Sequence, residues 1–185
     1  GAGNVALNIA ALGVRVSVVG LTGADDAAQV LEKLLTAAQV ECLFTRIPEC
    51  ATVTKLRVLS RHQQLIRLDF EDGFRHPEAQ LLSQQIMQRL QNSDVLVLSD
   101  YGKGALRAAP EIIAAARAAG KPVLVDPKGR DFAPYRGATL MTPNLAEFEA
   151  VVGHCTDEED LVRKGEALRI ELEVGALVIT SSERG

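Results

Sequence analysis

The 185-residue sequence has no tryptophan, two tyrosines and five phenylalanines, so aromatics make up only 4% of it. Its core therefore has to be aliphatic, which suits buried strands alternating with helices. Cysteine is scarce: Cys42, Cys50 and Cys155 form an odd set at no metal-ligand spacing. That argues against a disulfide framework or a zinc site and fits a reduced, cytoplasmic protein. No apolar run approaches the roughly 20 residues of a membrane helix, and no signal-peptide pattern is present. Positive charge is also short, with 20 Lys and Arg against 24 Asp and Glu and a net charge of −4. A nucleic-acid partner, which calls for a basic face, is not expected. What remains is 47% apolar and 24% charged, the composition of an ordinary globular chain. A chain of this length buries about 70% of its unfolded surface. It reads as one domain over residues 1–185, with no repeat or linker.

The element order follows from periodicity. Residues 1–13 combine a Gly-rich turn, a small-residue helix and a stop at Gly13. Residues 14–20 read as a strand. Asp25 or Asp26 then caps a helix whose apolar stripe is Val30, Leu31, Leu34, Leu35 and Ala38. Over about residues 40–70 the pattern alternates, which predicts an antiparallel, half-exposed patch of lid or dimer type with a turn at residues 61–64. Leu81, Leu82, Ile86 and Leu90 mark the next helix. Strands at 95–98, 123–125, 138–141 and 176–179 alternate with helices at 106–119, from about 145, and at 158–172. Continuous apolar strands between helices predict an α/β fold, a parallel sheet flanked by helices with a small antiparallel insertion.

The chemistry sits where those strands end. They lead into Asp100-Tyr-Gly-Lys103-Gly104, Asp126-Pro-Lys128-Gly129, Thr142-Pro-Asn144-Leu-Ala-Glu147 and Thr180-Ser-Ser182-Glu-Arg-Gly185. Open parallel sheets bind ligands at the carboxyl ends of their strands. Helix capping accounts for an Asp or Asn there, but lysines in Gly-flanked loops suit a phosphate. Asn144 and Glu147 share a helix face, either as a capping box or as an oxygen pair for hydrated magnesium and nucleotide phosphates. Gly1-Ala-Gly3 does not make a dinucleotide fingerprint, because the third glycine falls at Gly13 and no ribose-binding acid is placed properly. His62, His76 and His154 lie apart in turn-like contexts and read as surface residues.

Together these residues resemble the ribokinase-like (PfkB) sugar kinases. Gly1-Ala-Gly3-Asn4 is similar to that family's amino-terminal glycine signature, Gly20-Leu-Thr-Gly23-Ala-Asp-Asp26 to its Gly-x-x-Gly-x-Asp turn, and Asn144-x-x-Glu147 to its phosphate and magnesium motif. Within the family, residues 54–71, 99–104, 125–129 and 142–149 are similar to the heptose 7-phosphate kinases. The resemblance implies ATP and Mg2+ as cofactors and phosphorylation of the anomeric hydroxyl of a heptose 7-phosphate, as in ADP-heptose and lipopolysaccharide core biosynthesis. Another PfkB sugar kinase, or a non-catalytic sugar- or nucleotide-binding module, stays open as an alternative. It further implies nucleotide contacts from Lys128, Asn144, Glu147, Thr180, Ser182 and Gly185, with Asn144 and Glu147 holding the metal through water. Substrate contacts would come from Gly3, Asn4, Lys55, Arg57, Arg67, Asp69, Asp100 and Lys103. For the four hairpin residues a solvated strand face is the competing reading. The family's general-base Asp stands in a Gly-Ala-Gly-Asp motif absent from this sequence and expected beyond Gly185, just as a first strand is expected before Gly1. The 185 residues on their own are therefore expected not to turn over. A homodimer through the lid strands is expected from their apolar face.

Overall fold

The structure, a computed structural model, describes residues 1–61, 63–70 and 76–181, the side chains of residues 76–79 excepted. His62, Ser182 and Gly185 lie outside the described residues. The chain forms two compact units, Gly1–Leu82 with Lys103–Ala105, and Ser83–Gly102 with Leu106–Gly185.

In the first unit, helix α1 (Ala2–Ala11) ends at Gly13, whose φ of +80° a residue with a side chain adopts only at a cost. Strand β1 (Ser17–Gly23), helix α2 (Asp26–Ala37) and strand β2 (Glu41–Ile47) form a βαβ crossover, with β1 and β2 parallel from Ser17 opposite Glu41 to Gly23 opposite Ile47. Ala6, Val18, Leu35 and Val40 make the core, with Leu31, Ala38 and Phe44 packed against it. Asp25 is the residue that caps α2, its Oδ1 accepting from the Ala28 amide at 2.9 Å.

Three expectations change here. The first strand runs over Ser17–Gly23 rather than 14–20, and Val14 is exposed, because the left-handed Gly13 turns the chain before pairing begins. The apolar stripe of α2 splits in two. Leu31, Leu35 and Ala38 lie on one helical face and pack, whereas Val30 and Leu34 stand about 100° to the side and are exposed. Residues 41–47 are not part of an antiparallel patch. Alternation reports one covered sheet face and says nothing of the direction of the partner strand, which here is the parallel β1.

The antiparallel pair is β3 (Thr54–Ser60) with β4 (Gln63–Phe70), with Arg61 at φ +44° in the turn and a bulge between Val58 and Leu59. Lys55 faces Asp69 and Arg57 faces Arg67 on one side. Leu56 faces Leu68 and Val58 faces Ile66 on the other. Each of these residues is exposed.

Helix α3 (His76–Leu90) buries Leu82, Ile86 and Leu90. The second unit continues with β5 (Leu96–Ser99), α4 (Ala109–Ala118), β6 (Val123–Asp126), β7 (Leu140–Met141), α5 (Leu145–Val152), α6 (Glu158–Glu171) and β8 (Ala176–Leu177). Its four strands lie in the order β5-β6-β7-β8, all parallel. Ile112, Ile113, Val123, Val125, Phe132, Met141 and Phe148 form its aliphatic-rich interior. Helix α4 starts at residue 109 rather than 106 because Pro110 occupies its first turn, the place where a missing N–H costs nothing. Strands β7 and β8 are shorter than predicted. Pro143 has no N–H to donate, so the ladder is carried on by the Val178 amide to Met141 O at 2.9 Å and the Thr180 amide to Pro143 O at 3.0 Å. Among the described residues no helix is long and apolar enough to cross a membrane.

Candidate functional site

The carboxyl ends of β5 to β8 bring most of the second unit's predicted residues to one edge. Asn144 leaves β7 in an extended conformation and caps α5, with its Oδ1 accepting from the Glu147 amide at 2.9 Å. Glu147 Oε2 accepts in return from the Asn144 amide at 3.1 Å, so the capping box forms. The other Glu147 oxygen, Oε1, lies 2.6 Å from Lys128 Nζ, delivered by the loop after β6. Thr180 pairs with Asn144 through the backbone, its carbonyl accepting from the Leu145 amide at 3.0 Å. A hollow of about 320 Å³ opens here, lined by Lys128, Gly129, Arg130, Asn144, Ala146 and Glu147.

Electrostatics follow from that placement. The hydrogen bond and charge of Glu147 hold the Lys128 ammonium above its ordinary pKa. Asp126, at the end of β6, is pushed up by burial and by Glu147, with Lys128 opposing. Two cationic side chains, Lys128 and Arg130, thus border the positive N-terminal end of α5, an arrangement that attracts an anion. Among the described residues no three His, Cys, Asp or Glu side chains converge on a metal position. Asn144 Oδ1 and both Glu147 oxygens already accept from protein donors, so a magnesium ion here would be met through its own waters rather than by a protein cage.

Asp100 has both carboxylate oxygens engaged. Oδ1 accepts from the Gly102 amide at 2.7 Å and Oδ2 from the Tyr135 hydroxyl at 2.6 Å. Tyr135 is buried, and burial followed by the bond to Asp100 drives its phenol pKa upward. Sequence reasoning passed over Tyr135 and Arg130. The signal available for Tyr135 was a rare tyrosine in a Pro turn shortly after Lys128.

The remaining predicted residues belong to the first unit. Gly3 and Asn4 stand in the first turn of α1, and Asn4 is exposed. A Cβ at Gly3 would meet only ordinary contacts, Leu31 at 3.7 Å and Leu35 at 3.8 Å, so packing does not demand the glycine. Lys55, Arg57, Arg67 and Asp69 share one face of the hairpin, where Arg67 Nε and Nη2 each reach an Asp69 oxygen at 2.9 Å. That bond holds the Asp69 carboxyl below its ordinary pKa. Lys103 also falls in the first unit, apart in grouping from Asp100.

A parallel sheet whose strand ends carry Lys, Asn and Glu around a hollow defines an α/β protein with a candidate anion site. The chain belongs to the pfkB family of carbohydrate kinases, whose model matches residues 1–185. Over all 185 residues it is 62% identical to the bifunctional protein HldE of Alkalilimnicola ehrlichii and 57% identical to that of Alcanivorax borkumensis. It spans 39% of the length of each of these relatives. The fold is similar to that of the tetrameric inhibited form of phosphofructokinase-2 from Escherichia coli, with a TM-score of 0.78 at 20% identity over 97% of this chain and 60% of that one. It is similar also to Arabidopsis thaliana ribokinase complexed with ribose and ATP, with a TM-score of 0.74 at 16% identity over 99% of this chain and 60% of that one. The ribokinase-like architecture, with its parallel sheet, flanking helices and small antiparallel pair, is thereby shown.

Proposed function

We propose that this chain is the sugar-side and phosphate-side part of a kinase that transfers the γ-phosphoryl group of ATP to the anomeric hydroxyl of heptose 7-phosphate, giving the 1,7-bisphosphate in the cytoplasm. The observation that carries this reading is the hairpin. Its charged face sets Lys55, Arg57 and Arg67 in one row, and the stretch that encodes it, residues 54–71, is the most specific of the four that resemble the heptose 7-phosphate kinases. Arginine forks match phosphate oxygens, so this row suits the 7-phosphate of the sugar. Asn4 takes the sugar hydroxyls.

The nucleotide phosphates are neutralised by Lys128 and Arg130, while Asn144 and Glu147 hold the hydrated metal. Bound Mg-ATP supplies the phosphoryl group and neutralises its charge. Glu147 has a second task in this scheme. Its hold on Lys128 fixes the ammonium at the edge of the hollow. The deprotonating Asp is proposed to come from the Gly-Ala-Gly-Asp motif of the family. The apolar hairpin face is proposed to join two copies.

The test is phosphorus NMR of mixtures containing ATP, magnesium and either a hexose or a heptose phosphate, run on this chain and on a form extended as its relatives are. A new anomeric phosphate from heptose 7-phosphate, with the extended form only, supports both the substrate and the placement of the base. Consumption of a different sugar phosphate discards the heptose reading and keeps the kinase.

A further inference from the structure

We propose that Asp25 is a positioning residue for the β3–β4 hairpin, acting through Thr52 to fix the point at which the first hairpin strand leaves the body of its unit. Thr52 is one of two buried polar residues among the described residues, 7% exposed. Its hydroxyl accepts from the Gly23 amide at 2.9 Å and donates to Asp25 Oδ1 at 2.6 Å. Its own amide donates to Asp25 Oδ2 at 2.8 Å. Three segments therefore meet on the Asp25–Thr52 pair: the end of β1 at the Thr52 hydroxyl, and the start of α2 and the run into β3 at the carboxylate.

Gly23 is what lets them come this close. A Cβ there would clash with the carbonyl oxygen of Cys50 and lie 2.9 Å from the Thr52 amide nitrogen, both backbone atoms that cannot swing away. The brace reaches one step further, since Thr54 Oγ1 donates to the Thr52 carbonyl at 3.0 Å. Past Thr54 every described residue of β3 and β4 is exposed. A two-stranded ribbon with both faces exposed is marginal on its own, so its root contributes to its orientation.

Helix capping does not account for this network. The cap uses a single bond, from the Ala28 amide to Oδ1, which a serine also satisfies. The second carboxylate oxygen and the Thr52 hydroxyl add nothing to α2. What they secure is the segment that leads into Lys55 and Arg57. The inference stands on these bonds whether or not the hairpin meets a sugar.

Amide hydrogen exchange on the 185-residue chain tests it with three variants. Asp25→Ser keeps the cap and drops the Thr52 bonds, Thr52→Val removes the hydroxyl at nearly constant volume, and Thr52→Ser restores it. In the first two, the amides of Gly23, Thr52 and β3 are expected to exchange at least tenfold faster, on the order of the loss of one or two net hydrogen bonds. The amides of Ser17–Thr22 and of α2 should stay within twofold, and Thr52→Ser should match the parent chain. Unchanged exchange over residues 52–60 in Thr52→Val and Asp25→Ser overturns the proposal. So does a uniform rise across the whole unit, or failure of Thr52→Val to fold, since either makes the network part of the general core rather than a local catch.

Discussion

Single residues in the candidate site hold two tasks at once, and substitutions can separate them. Glu147 back-bonds the Asn144 amide with one oxygen and holds Lys128 with the other. Glutamine keeps the first bond and loses the ion pair, so Glu147→Gln is expected to lower the Lys128 pKa, read by NMR of its side-chain carbon resonances, while stability falls by less than ~1 kcal/mol because Lys128 is half-exposed. The sign is set by the raised pKa. The stabilisation is present below the ordinary value of 10.5 and is lost as pH climbs through the raised one. Asn144→Ala instead removes the cap and should cost about 1 kcal/mol in urea denaturation. Tyr135 is a different case, because it is buried and its hydroxyl serves a carboxylate. Tyr135→Phe leaves Asp100 Oδ2 without that donor, at an expected cost of about 1.5–3 kcal/mol by the same measurement.

At the level of elements, the helices of the second unit were readable from their period and its parallel strands from short continuous apolar runs between those helices. Capping was partly readable: Asn144 caps α5 and, of the two candidates Asp25 and Asp26, Asp25 caps α2, whereas the Asp157 cap of α6 was not anticipated. Pairing direction was not readable, since β2 alternates as an edge of either kind would, and only the crossover through α2 made it parallel to β1. The Asp25–Thr52 link was equally invisible, joining residues 27 positions apart that no local period connects. Local periods and distant pairings thus divide what sequence alone could disclose. Helix α6 offers a test that belongs to this scale. Its first turn holds Glu158, Glu159 and Asp160, and Asp160 is gripped by Lys164 at 3.0 Å and by Arg163. The Lys164 bond leads in lowering the Asp160 pKa to about 2. A depressed carboxylate stabilises the fold above its ordinary pKa of 3.8 and stops doing so as pH falls towards about 2. Asp160→Asn is therefore expected to flatten the acid limb of a stability–pH curve between those values, measured by urea melts at stepped pH. An unaltered limb would assign the acid sensitivity to other carboxylates.

For the molecule as a whole, the hairpin poses the open question of what covers it. One face carries Lys55, Arg57, Arg67 and Asp69, with Arg67 and Asp69 joined in an ion pair. The opposite face presents Leu56, Val58, Ile66, Leu68 and Phe70, at exposures of 48%, 40%, 48%, 39% and 52%. An isolated apolar ribbon face of this kind invites association, and an edge strand gives it a template. Self-association of two such faces covers both with the same residues, as a two-fold interface requires. The charged faces then point outward from the pair, which is where the proposed sugar phosphate contacts have to be. Sedimentation velocity is expected to show a dimer at micromolar concentration. Ile66→Lys, which places a charge opposite Val58 at the centre of that face, should yield a monomer while circular dichroism stays unchanged. Arg57→Glu, on the other face, should leave the dimer intact. The two variants have to give opposite answers, because adjacent residues along a strand point to opposite sides of the sheet. A dimer lost equally in both would mean that the hairpin folds only when paired, and a dimer retained in Ile66→Lys would move the interface elsewhere on the chain.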